Sequence, residues 1–127
     1  MSGGYRQAGL SFIEVVVALS ILGVVLVGVV PSFLSYMELN TRSEQRSNAV
    51  RLVEERLEAL RLVNPQTLPT AGSQDSIQTR NGRAYTVRTT YCAEASLCNS
   101  GSRHIRVEVF LNGRNIYAAE TVFTQLR

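Results

Sequence analysis

From Leu10 to Leu34 nearly every position is apolar, and Glu14 is the single charge between Gly9 and Pro31. A helix over those roughly 25 residues, rising 1.5 Å per residue, crosses a hydrocarbon layer about 30 Å thick. From Ser35 the pattern changes. Polar residues enter, and Val50, Val53, Leu57 and Leu60 recur at the three- and four-residue spacing that makes one apolar stripe. Arg51, Glu54, Glu55, Glu58 and Arg61 fill the remaining positions as a solvated face, with Glu38–Arg42 and Arg51–Glu55 four apart and able to pair weakly. Pro31 removes one intrahelical hydrogen bond, and with Gly28 a turn earlier it predicts a bend rather than a stop. Asn64-Pro65 ends the helix, because the residue before a proline disfavours helical geometry. Leu10 to Val63 then reads as about 80 Å of nearly continuous helix.

Residues 66–82 are rich in Pro, Thr, Ser, Gln, Asn and Gly and read as a surface connection, with room for a short strand around Ser76 to Arg80. After the turn signal Asn81-Gly82, Tyr85, Val87, Thr89 and Tyr91 alternate with Ala84, Thr86, Arg88 and Thr90, the period of a half-buried strand. Ile105, Val107, Val109 and Leu111 repeat it, and a further strand runs from about Asn115 to Thr124. Asn112-Gly113 joins these two. A two-residue turn sets Val109 opposite Ile116 and Ile105 opposite Glu120 on the buried face, whereas a three-residue loop sets Val107 opposite Tyr117 and Ile105 opposite Ala119 and sends Glu120 outward. The second avoids burying a carboxylate and is the expected register. The fold class is therefore α+β: a long N-terminal helix whose second half packs on a small antiparallel sheet of three to four strands.

Three segments follow. Residues 1–9 form a short polar leader, 10–34 the apolar half of the helix, and 35–127 a soluble domain with helix 35–63, connection 64–82 and sheet 83–127. A 127-residue chain with one such anchor leaves room for a single small core and no cleft between domains. Its 13 basic residues are all Arg, and the net charge of +3 is mild.

The leader is too short and polar for an ordinary secretory signal, whose apolar core precedes the cleavage site. Here the apolar core follows Gly9. A leader containing Arg6, ending in Gly9 and followed by L-S-F-I-E, resembles the class III signal of type IV prepilins and type II secretion pseudopilins. Gly9, Leu10 and Glu14 match that motif one by one, with Leu10 standing where Phe is more usual. The resemblance implies cleavage after Gly9 by the prepilin peptidase, N-methylation of Leu10, and retention of the apolar helix for assembly, with Glu14 a filament-assembly residue. Gly28 and Pro31 also stand where family members often place a Gly and a Pro, as the helix kink. The small domain, with A-V-R-L-V-E-E-R-L-E-A-L-R followed by G-R-x-Y-x-V, is similar to minor pilins of the V type and pseudopilins of the I type. Implied partners are other pilin or pseudopilin subunits, the prepilin peptidase, an inner-membrane assembly platform and membrane lipid. The implied location is the bacterial inner membrane, with a periplasmic domain and assembly into a pilus or pseudopilus. Arg6 and the original amino terminus stay cytoplasmic, following the positive-inside tendency. Cys92 and Cys98 then lie in an oxidising compartment, where a disulfide closing a small loop is the natural reading.

No catalytic constellation emerges, so the chain is read as a non-enzyme without cofactor. His104 is the only histidine and reads as an ordinary surface residue, and no spacing supplies it with metal partners. Cys92 and Cys98 are not a C-x-x-C pair. Arg80, Arg83, Arg88, Arg103 and Arg106 suggest a basic strip, but sheet alternation scatters them and aromatic interleaving is sparse, so binding of nucleic acid, as in a DNA-uptake competence pilin, is a secondary reading. A single-pass anchored domain that never assembles is the other.

Overall fold

The computed structural model describes residues 9–125. The leader apart from Gly9, with Arg6, lies outside them. The chain divides into two compact units, one up to Thr41 and one from Arg42 onward. Helix α1 (Phe12–Arg61) begins in the first and ends in the second, and in chain order strands β1 (Ser73–Arg80), β2 (Arg83–Tyr91), β3 (Ser102–Leu111) and β4 (Arg114–Thr124) follow.

In the first unit, α1 passes through Pro31 as one helix. Proline cannot donate to the carbonyl a turn earlier. Just beyond it, the Ser32 hydroxyl donates to Gly28 O at 2.9 Å, and Ser20 does the same to Val16 O at 2.8 Å. These bonds satisfy hydroxyls on an otherwise apolar helix from within the helix itself.

In the second unit the end of α1 is local chemistry. Val63 N–H reaches only to Leu60 O, and Asn64 is extended, as its position before Pro65 requires. The Asn64 carboxamide then accepts from Gln66 N–H at 3.0 Å, starting a short 3₁₀ turn over Pro65–Thr67.

The four strands form an antiparallel meander in the order β1-β2-β3-β4. Two of its hairpins turn on Asn-Gly pairs with positive φ at both residues: 50° and 72° at Asn81-Gly82, 53° and 75° at Asn112-Gly113. That is the two-residue turn whose twist suits paired strands. Tyr85, Val87, Thr89 and Tyr91 of β2 and Ile105, Val107, Val109 and Leu111 of β3 are buried, as their alternation predicts. They share a core with Ala49, Leu52, Val53 and Leu60 of α1.

Four expectations need correction. The stripe on α1 is centred on Ala49, Leu52, Val53 and Leu60, while Val50 and Leu57 are only half-buried. Arg56 shares that face and donates from Nε to the buried Thr89 Oγ1 at 3.0 Å. Second, the short strand for which there was room around Ser76 to Arg80 is longer, an eight-residue strand Ser73–Arg80 inside the stretch read as a surface connection. All eight residues are exposed, so no apolar alternation marked its full length. It is held by backbone pairing to β2 and by the Arg88–Asp75 and Arg80–Glu55 ion pairs. Third, the last hairpin follows neither register. Leu111 pairs with Arg114 across a two-residue turn, and a bulge between Val109 and Phe110 then sets Val109 opposite Tyr117, Val107 opposite Ala119 and Ile105 opposite Thr121. The extra residue lets Ile116 and Tyr117 both pack against the core and places Glu120 opposite the exposed Arg106. Glu120 does turn outward, but by a bulge rather than a longer loop. Fourth, His104 is 2% exposed and not a surface residue.

Candidate assembly segment and processing site

Gly9, Leu10 and Ser11 precede the first helical residue, Phe12, and the helix closes with Val15 N–H on Ser11 O at 3.1 Å. Gly9 is exposed, and a Cβ built there meets nothing within 4 Å. Its φ is not among the positive ones. Neither crowding nor backbone strain within the chain therefore calls for glycine at position 9. Leu10 beside it is 75% exposed, so the Gly9–Leu10 bond is open to an outside reader.

Glu14 lies in the first turn of α1, where the exposed N–H groups favour an anion. Among the described residues it forms no ion pair. Around and beyond it, Phe12, Ile13, Leu19, Leu22, Val24, Val27 and their neighbours are all exposed, and none of the most apolar stretch, of mean hydropathy 2.8, is buried by the chain itself. A helix apolar on every side with no intramolecular cover needs a bilayer or the apolar faces of other helices around it. Gly28 is equally uncrowded, so the packing of its own chain does not require it.

The second unit settles the other singled-out residues. Cys92 and Cys98 are joined, with Cα atoms 5.7 Å apart, closing the loop between β2 and β3. His104 lies beneath that loop. Its Nδ1 accepts from Glu94 N–H at 3.3 Å, and its own N–H is 3.2 Å from Cys98 Sγ. An Nδ1 that accepts leaves the ring proton on Nε2, which points at Glu120 Oε2 3.2 Å away. His104 thus fastens the disulfide loop to β4. Among the described residues no group of three or more His, Cys, Asp or Glu side chains is placed to hold a metal ion.

The five arginines do not form one strip. Arg80 pairs with Glu55 at 2.7 Å, Arg83 with Glu44 at 3.8 Å, Arg88 with Asp75 at 2.9 Å and Arg106 with Glu120 at 3.2 Å. Arg103 is buried, and its Nη1 donates to the backbone carbonyls of Asn99 and Ser102. Sequence patterning missed Arg56, Arg103 and His104, because a polar residue facing inward breaks the alternation by which inward faces are recognised.

Residues 4–30 match the family model described as the prokaryotic N-terminal methylation motif. That motif is the class III signal of type IV pilins, and a long apolar N-terminal helix followed by a four-stranded antiparallel sheet is an arrangement like theirs. Motif and fold together support a type IV pilin-like family. As far as the motif reaches, it supports a type IV pilin-like or pseudopilin subunit, and the apolar helix is consistent with a single-pass inner-membrane anchor. No curated protein and no solved structure matches the chain.

Proposed function

We propose that the chain is a minor pilin: a small structural subunit cut after Gly9 by the prepilin peptidase, N-methylated on Leu10, and drawn from the inner membrane into a type IV pilus-like filament. One observation carries the reading. The methylation motif opens onto a helix that is apolar all round, unburied by its own chain, and marked by a single carboxylate one turn in. Hydrolysis of the Gly9–Leu10 bond leaves a positive amine on Leu10. In a bundle of packed anchors that amine and the Glu14 carboxylate are each costly alone, and together they offset one another. Between adjacent helices the same attraction sets an axial offset of one subunit, while Gly28 and Pro31 supply the bend. A type II secretion pseudopilin uses the same segment in the same way. The pairing of four of the five arginines disfavours a nucleic-acid surface.

Glu14→Ala is expected to leave unfolding of the second unit unchanged and to remove most of the chain from sheared filaments. Glu14→Ala protein recovered in filaments at wild-type level would show that this carboxylate does not recruit the subunit. Replacing Gly9 by a bulky residue should leave the leader attached, which intact-mass measurement of the membrane-extracted chain reads directly.

A further inference from the structure

We infer that a cleft beside Arg103, between the disulfide loop and the segment after the 3₁₀ turn, is a binding site for a carboxylate. The cleft holds about 440 Å³ and is lined by Thr70, Asn99, Ser100, the Cys92–Cys98 bridge and Arg103. No lining residue is acidic. Arg103 is only 9% exposed, and among the described residues no carboxylate pairs with it. Glu94 is the one carboxylate on the loop, and it accepts from Ser96 Oγ at 2.9 Å. A buried guanidinium that lacks a counter-charge is an unfavourable arrangement unless something outside supplies one.

The geometry of the guanidinium selects the ligand. Nη1 is spent on the two backbone carbonyls of Asn99 and Ser102, and Nε is buried with no hydrogen-bond partner. What remains is the Nε–Nη2 edge, two parallel N–H groups whose spacing matches the two oxygens of a carboxylate. The same molecule shows that edge in use. Arg88 grips Asp75 with Nε on Oδ1 and Nη2 on Oδ2, both at 2.9 Å. Arg103 carries the same Nε–Nη2 edge, and among the described residues no acid meets it. Thr70, Ser100 and the amide nitrogen of Asn99 add neutral donors around it, since Asn99 Oδ1 already accepts from Gly101 N–H at 2.9 Å. Because Nε is screened from solvent, a ligand reaches it only as the groups around it move, and Ala95, Asn99 and Ser100, which line the cleft, are placed to report binding.

The test uses the full chain, ¹⁵N-labelled in detergent micelles, titrated with sodium acetate, with acetyl-tetra-alanine bearing a free C-terminal carboxylate, and with its C-terminal amide. Sodium chloride at equal ionic strength is the control. Saturable shifts are expected at the Arg103 Nε–H and at the amides of Ala95, Asn99 and Ser100 with carboxylate probes and not with the amide peptide. Response to both acids identifies a site for free carboxylates, and response to the peptide acid alone identifies a peptide terminus. Arg103→Lys keeps the charge but loses the fork, and should weaken binding by roughly tenfold or more. Shifts that do not saturate, that chloride reproduces, or that Arg103→Lys leaves intact overturn the proposal. The Arg103 Nε–H signal of the unmodified chain decides the matter even if the variant misfolds.

Discussion

Val, Ile and Leu dominate both the N-terminal half of α1 and the strands, yet the two regions use them in opposite ways. Leu19, Ile21, Leu22 and Val24 are each more than half exposed, whereas Ile105, Val107 and Val109 are fully buried. Composition does not separate these regions; period does. Around α1 before Thr41 the apolar positions cover every side, so no single face can be shielded by a domain, and cover has to come from outside the chain. In β2 and β3 they alternate, and in the second half of α1 they keep to one stripe, so each element has one face to hide and the others supply the hiding place.

The sharpest way to break that contrast is to shorten one apolar side chain in each region. Ile105→Ala removes a side chain with no exposure and should destabilise the second unit by about 2–5 kcal/mol, read by denaturant unfolding of the chain in mild detergent. Leu22→Ala, 53% exposed at its native leucine, should leave that transition where it was. A shift of comparable size from Leu22→Ala would mean that the apolar run belongs to the core after all.

What the sequence made legible follows the same line. Wherever one face is apolar and the other polar, as in Tyr85 to Tyr91 and Ile105 to Leu111, strand, face and burial could be read directly, and Asn-Gly pairs marked both tight turns. The N-terminal methylation motif was legible in its residue types, Gly9, Leu10 and Glu14 at the head of an apolar run. Reading failed where burial is not one-sided. Strand β1 buries neither face, so only its second half around Ser76 to Arg80 was anticipated and its start was not; Arg56 and His104 are polar groups facing inward with partners far along the chain, and the bulge near Val109 depends on packing both Ile116 and Tyr117. None of these leaves a local period.

A smaller effect probes the covalent reinforcement that the second unit has and the first lacks. Cys92→Ser together with Cys98→Ser should cost about 2 kcal/mol, the modest value expected for a loop this short. The loss should appear in unfolding of the second unit, since His104 ties the closed loop to β4. Two free thiols by mass measurement of the unreduced native chain would remove the premise.

The smallest effect lies on the exposed face of the sheet. Arg88 crosses from β2 to Asp75 on β1, and its guanidinium also sits 5.1 Å over the Phe110 ring. Its hydrogen bonds hold the Asp75 carboxyl below the ordinary carboxylate value, against a smaller opposing effect of desolvation. A carboxylate whose pKa is lowered in the folded state binds its proton more readily when unfolded. Its contribution to stability is therefore fully present above the unfolded pKa of about 4 and is lost as pH falls through the lower folded value. The Asp75 side chain stands on the exposed face of the sheet, so the contribution is small and salt weakens it. Wild type and Asp75→Asn should accordingly differ slightly in unfolding midpoint at pH 7 and low salt, converge as the pH drops below about 4, and differ less in high salt at any pH. Strand β1 has no buried side chain, so this pair and backbone pairing carry much of its attachment, and amide exchange along Ser73–Arg80 should quicken in Asp75→Asn while Ile105 to Val109 stay protected. Equal exchange in β1 of the two proteins at pH 7 would show that the ladder hydrogen bonds hold the strand without the ion pair.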